Sequence, residues 1–129
     1  MNQRIEFTPY SPNWPKIYAS IAAEVTGTLG DNLLAIHHIG STSVPGLAAK
    51  PTIDIIAEVR NGMQTIQPLE QLDFQYKGEY NLPMRFFFVY RGLRFDNAKV
   101  NLHIFEENNP EIELNILLRD YTQSSSRIG

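Results

Sequence analysis

Cysteine is absent from the 129 residues, which excludes a disulfide framework and a thiolate metal site and makes a reducing compartment, the cytoplasm, the natural expectation. Long apolar runs are absent too. None approaches the ~18 residues of a membrane span, and the N-terminus carries no basic segment leading into an apolar one, so neither a membrane partner nor an export route is expected. Positive charge is not in surplus: eleven Lys and Arg stand against fourteen Asp and Glu, a formal charge of −3. Duplex nucleic acid would meet no general attractive field. Two familiar phosphate loops are missing as well, since the chain has neither Gly-x-x-x-x-Gly-Lys-Ser/Thr nor Gly-x-Gly-x-x-Gly.

What is present suits one domain. A chain of this length with 43% hydrophobic residues can bury roughly two-thirds of its unfolded surface around a single core, so 1–129 is read as one domain with a loose tail over 123–129. The charges are unevenly spread. Lys77, Arg85, Arg91, Arg94 and Lys99 fall in one stretch, while carboxylates crowd toward Glu106, Glu107, Glu111 and Glu113.

Local patterns give the order of elements. Arg4 to Phe7 reads as a short edge strand. Ser11 followed by Pro12 reads as an N-cap with proline at the first helical position, and Trp14, Ile17, Tyr18, Ile21, Val25 and Leu29 form a 3.6-period stripe that Gly30 terminates. Strands are expected at Leu33 to Ile39 and Thr52 to Val59, the latter with Asp54 set inside an isoleucine-rich run. Met63, Ile66, Leu69 and Leu72 suggest a second helix, kinked or split by Pro68. Three more strands are expected at Phe74 to Tyr80, Arg85 to Arg91 and Lys99 to Glu106, and a last helix from Asn109-Pro110 to about Tyr121. This order implies an α/β or α+β class: a mixed sheet with helices packed mainly on one side.

The sharpest chemical pattern is Gly40-Ser41, a loop of small residues, then Lys50-Pro51-Thr52-Ile53-Asp54 entering a strand. Glycine lets backbone N–H groups approach a phosphate, serine adds a donor, and a strand carboxylate can hold Mg2+ beside the phosphates. An ordinary turn followed by a strand Asp remains the plainer alternative. On the strands, Lys99, Asn101, His103 and Phe105 share one face, and Phe86, Phe88 and Tyr90 share a face expected to pack against helices. Arg85 and Arg91 could each grip a phosphate or simply reach solvent, and Lys50 is open to the same two readings. His37-His38 looks like a metal pair but is a weak signal, because neighbouring strand residues point to opposite faces. Arg119 and Asp120, adjacent on the last helix, are not expected to face each other.

The run from Ile39 to Ile55, IGSTSVPGLAAKPTIDI, resembles the signature of the GrpB family, and Tyr10-Ser11-Pro12-Asn13-Trp14, Asn101-Leu102-His103-Ile104-Phe105 and Leu118-Arg119-Asp120-Tyr121 resemble further family landmarks in the expected order. That resemblance implies a nucleotidyltransferase-like fold, in which Gly40 and Ser41 grip the phosphates of a nucleotide and Asp54 holds a divalent metal. It also places His103 near the customary third acid, as a ligand or general base. The second acid of an active site would fall at Ile56, so that ligand is missing; Glu58 begins roughly 13 Å from Asp54 at ~3.3 Å per strand residue, too far to share its metal. Relatives usually continue past the Arg-Asp-Tyr segment into a further long helix, and its absence would expose an apolar surface suited to a partner or a second copy. Three expectations follow: a Mg2+-dependent nucleotidyltransferase, a non-catalytic binder of a nucleotide or other phosphorylated small molecule, and a protein-interaction module.

Overall fold

The computed structural model describes residues 7–128. α1 (Asn13–Leu29) is followed by β1 (Leu33–Ile39), β2 (Thr52–Val59), the short α2 (Ile66–Gln71), β3 (Gln75–Tyr76), β4 (Phe86–Tyr90), β5 (Lys99–Glu106) and α3 (Pro110–Ile128). The five strands form one sheet in the order β1-β2-β5-β4-β3. Only the central β2–β5 pair is parallel; its neighbours are antiparallel. The class is α+β, with a mixed sheet.

The isoleucine run of β2 explains where the core sits. Ile53, Ile55, Ala57 and Val59 alternate onto one face and join Val100, Leu102 and Ile104 of β5 and Phe88 and Tyr90 of β4. α1 covers that face with Trp14, Ile21, Val25 and Leu29, and α2 adds Leu69. Full burial of each large aliphatic side chain contributes on the order of 1.5–3 kcal/mol, enough for this layer to set the register of the sheet. α3 lies across the opposite face, where Ile112 and Ile116 meet Ile39, Ile56 and Phe105. Both faces of the sheet thus carry a long helix, α1 on one and α3 on the other, where the element order suggested helices mainly on one side.

Boundaries differ from the sequence expectation at five places: β4 lacks Arg85 and Arg91 at its ends, and four other differences have a local reason. α1 starts one residue late, at Asn13, with Pro12 rather than Ser11 at the N-cap and no side-chain cap; Ser11, one residue further out, accepts at Oγ from the Asn13 N–H at 3.1 Å. The expected second helix is split into a 3-10 turn over Met63–Thr65 and α2, and Pro68 falls in the first turn of α2, where a missing N–H costs nothing. Of Phe74 to Tyr80 only Gln75 and Tyr76 pair as strand, and positive φ at Gly78, Tyr80 and Asn81 turns the chain away. α3 continues as helix to Ile128 rather than stopping near Tyr121. Arg4 to Glu6 of the proposed first strand lie outside the described residues; beside them, Thr8 and Ala49 form a single antiparallel bridge. No helix among the described residues is long and apolar enough to cross a membrane.

Candidate functional site

Where β1 ends, the chain drops directly onto the carboxylate of Asp54. Gly40 has φ 75° and ψ −175°, a conformation in which only glycine is comfortable, and a β-carbon there would stand 2.8 Å from Asp54 Oδ2. A short 3-10 turn over Ser41–Ser43 follows. Thr42, buried within it, donates its hydroxyl to the Thr52 carbonyl at 3.1 Å and lies 3.0 Å from His38 Nε2. A threonine has one O–H to give, so His38 must be the donor and its proton sits on Nε2. The His38 ring stacks on Tyr18, centroids 4.8 Å apart. Burial pushes its pKa down to about 4, with Asp54 opposing the shift and the Arg119 cation adding to it. A neutral histidine thus buttresses the turn from the α1 side.

On the opposite face, pairing across the sheet assembles a chain of polar contacts. The register sets Asp54 beside Asn101 and Ile56 beside His103, with Val89 and Phe87 next in line. Asn101 Nδ2 donates to Asp54 Oδ1 at 3.1 Å, and Arg91 Nη2 donates to Asn101 Oδ1 at 2.9 Å. Arg91 is held in turn by the Tyr90 and Val100 carbonyls. From the other side His103 Nε2 lies 3.5 Å from Asp54 Oδ1, while Arg85 Nη1 lies 3.2 Å from His103 Nδ1. Arginine can only donate, so Nδ1 accepts and the proton belongs on Nε2, directed at Asp54. The Arg85 guanidinium is fixed by the Glu79 and Tyr80 carbonyls and by the Phe87 ring, 4.4 Å beneath it.

The residues singled out in the sequence divide into groups. Ser41, Lys50 and Asp54 line one cavity of about 280 Å3 with Phe7, Thr52 and Asn101. Gly40 and Ser41 also line a second cavity, about 220 Å3, on the α3 side of the turn. Arg91, His103 and Arg85 belong to the network behind Asp54; none of the three lines the first cavity. Glu58 stands apart, paired with Phe105 across the sheet and accepting from the Asn108 N–H at 3.3 Å. His37 and His38 do point to opposite faces, His37 opening toward α3 and His38 toward Tyr18. Arg119 and Asp120 require a correction: the long arginine folds back along the helix and meets Asp120 Oδ1 at 3.0 Å, while its Nη1 reaches the His38 carbonyl at 3.2 Å. Sequence reasoning placed Asn101 on the right face but missed its part as the link between Arg91 and Asp54.

The donor set can be tested against the divalent metal that the family resemblance implies. Among the described residues no group of three His, Asp or Glu side chains could hold a metal ion. Ile56, fully buried with Ile39, Phe105 and Ile112, occupies the place of the second acid. Neither nitrogen of His103 has a lone pair to offer, one facing Arg85 and the other carrying its proton toward Asp54. A two-cation centre bridged by carboxylates does not fit these residues, and no transfer step is derived through one.

A Gly-Ser turn closed over a single strand carboxylate, on the half-covered face of a five-stranded mixed sheet, defines a small α+β domain with one polar site. The model of the GrpB protein family matches residues 4–128. The chain belongs to the GrpB family. It is 33% identical over 127 residues to the UPF0157 protein BH1888 of Halalkalibacterium halodurans, covering 97% of this chain and 64% of the relative. The UPF0157 protein YqkA of Bacillus subtilis is 33% identical over 134 residues, 98% of this chain and 37% of the relative. The chain therefore spans less than two-thirds of the length of these curated relatives. Among solved structures, the conserved protein GrpB from Enterococcus faecalis superposes with a TM-score of 0.83 at 31% identity, covering 95% of this chain and 75% of that one.

Proposed function

We propose that this domain binds the phosphate end of a small phosphorylated molecule, a nucleotide foremost, at the Gly40–Ser41 turn, and that it does so without a two-cation centre. One observation carries the reading: a single cavity of about 280 Å3 joins the Ser41 turn, Lys50 and Asn101. Lys99 starts the strand face that continues through Asn101, opposite Thr52, and Arg91 grips Asn101 from behind. Lys50 thus shares the cavity with one carboxylate while Arg91 stands behind Asn101, a balance that favours an anion. Asp54 orders the donors, holding the Asn101 amide and the His103 N–H in place. The likeness to a nucleotidyltransferase-like fold belongs to this proposal, as does a cytoplasmic location, which the cysteine-free composition supports.

A transferase reading keeps one observation in its favour. Asp54 Oδ2 has no hydrogen-bond partner among the described residues, so it could meet one Mg2+ carried in on the phosphates. Calorimetric titration of pyrophosphate and of ATP, first in EDTA and then in Mg2+, separates the readings. The binder reading expects association in EDTA that tightens in Asp54→Asn, because a like charge has been removed, and that weakens in Lys50→Ala. Binding that needs Mg2+ and disappears in Asp54→Asn would replace it with the transferase reading; no binding under either condition removes both.

A further inference from the structure

The Gly40–Ser41 turn has a cavity on each side. The first, about 280 Å3, holds Lys50, Asp54 and Asn101; the second, about 220 Å3, lies between the turn and α3 and is lined by Val44, Leu47, Asn115, Leu118, Arg119 and Thr122. Ser41 lines both. Neither alone reaches the roughly 300 Å3 at which sites for organic ligands begin, and together they exceed it. α3 is tied to the turn by hydrogen bonds from Arg119 to the His38 carbonyl and from Gln123 to the Ser43 carbonyl, at 3.2 Å each. The second cavity is thus a built wall of the turn.

Its chemistry differs from that of the first. Asn115 Nδ2 donates one N–H to the Glu111 carbonyl at 2.7 Å, which fixes the amide and leaves Oδ1 as an acceptor beside the second N–H. Thr122 donates its hydroxyl to the Leu118 carbonyl at 2.9 Å and keeps only acceptor capacity. Arg119 has its positive charge matched by Asp120, yet Asp120 and the His38 carbonyl engage only part of its five N–H donors. Acceptors and donors therefore face a space walled by Val44, Leu47 and Leu118. A second phosphate, which only accepts, would use the free N–H groups of Arg119 and Asn115 but leave the two oxygens without a donor. A flat group with both donors and acceptors on its edge, seated between aliphatic side chains, fits.

Resting on the phosphate reading above, we infer that the ligand straddles the turn and is a nucleoside phosphate: its phosphates lie on the Lys50 side, and its base lies in the second cavity, read by Asn115 and Thr122. The test compares pyrophosphate with ADP, GDP, CDP and UDP in calorimetric titrations of the wild type and of the double variant Asn115→Leu/Thr122→Val, which keeps the branching of both side chains and removes their polar atoms. At least one nucleoside diphosphate should bind about tenfold or more tighter than pyrophosphate, and the double variant should erase that advantage while leaving pyrophosphate binding unchanged, as expected where polar groups lose their partners. Circular dichroism and the urea midpoint of the variant show that it is folded. If pyrophosphate binds and no nucleoside improves on it, or if the variant weakens both alike, this inference falls and the phosphate cavity stands. If pyrophosphate does not bind either, both fall.

Discussion

Gly40 and Asp54 are in steric contact: the space a β-carbon would take on the glycine lies 2.8 Å from Oδ2 of the carboxylate. The first prediction separates the two demands made on this glycine. Gly40→Ala should destabilise the domain by about 1–3 kcal/mol from its backbone conformation alone, and further because Asp54 must move. In an Asp54→Ala background the same substitution should cost less, since the obstructing carboxylate is gone while the conformational cost stays. A double-mutant cycle in urea measures this. Strictly additive losses would mean that the contact with Asp54 does not constrain the turn.

The contacts of His103 lead to a second prediction. With Arg85 donating to Nδ1, the neutral ring should carry its proton on Nε2, and a long-range 15N–1H correlation spectrum reports which nitrogen is protonated. Arg85→Met should mix the two tautomers, because it removes the group that selects one. A wild-type spectrum dominated by the Nδ1–H form would sink the Arg85–His103–Asp54 ordering described above.

How much of this was legible in the sequence depends on the range of the interaction. Period and alternation place β1, β2 and β5 to the residue, because Ile53, Ile55, Val100 and Leu102 each bury a side chain at a spacing of two. The Gly-Ser turn and Asp54 were legible as a motif, since glycine's conformational role is local. The links among Arg91, Asn101, Asp54 and His103 were not, because they depend on β5 lying parallel beside β2, a pairing reached only after α2, β3 and β4 have intervened. The missed Arg119–Asp120 contact has another cause: face geometry ignores the reach of a long side chain that can fold along its own helix. Tyr18 was legible as part of the helical stripe and Thr42 as part of the motif, but their contacts with His38 exist only once the turn and α1 are packed around it.

A third prediction concerns acid. His38 has its pKa lowered from 6.5 to about 4 by burial, so the unfolded chain takes up a proton near pH 6.5 and the folded chain only near 4. Unfolding between those values consumes a proton, and stability must fall as the pH drops through this window, while above pH ~6.5 the contribution is constant. His37 is also held below its usual value by burial and acts in the same direction. Urea midpoints measured from pH 8 to 5 should therefore decline, and the decline should be shallower in His38→Asn. An unchanged slope in that variant would show that His38 is not the neutral buttress its contacts with Thr42 and Tyr18 describe.

The fourth prediction tests why the site has one acid rather than two. Ile56 lies on the same strand face as Asp54, two residues on, but it is fully buried in an apolar cluster with Ile39, Phe105 and Ile112. Ile56→Asp would place an unpaired carboxylate there, at a cost of about 3–5 kcal/mol before any loss of packing is counted. A metal that bound only the folded variant would offset this in proportion to the logarithm of its concentration over Kd. We expect no such offset, because α3 covers the position and His103 has no lone pair free to complete a ligand set. Urea unfolding of Ile56→Asp with and without millimolar Mg2+ decides the point. Equal midpoints mean that the apolar packing under α3 is incompatible with a two-cation centre; a midpoint raised by Mg2+ in the variant but not in the wild type would mean that the rest of the centre is in place and only the second carboxylate is lacking.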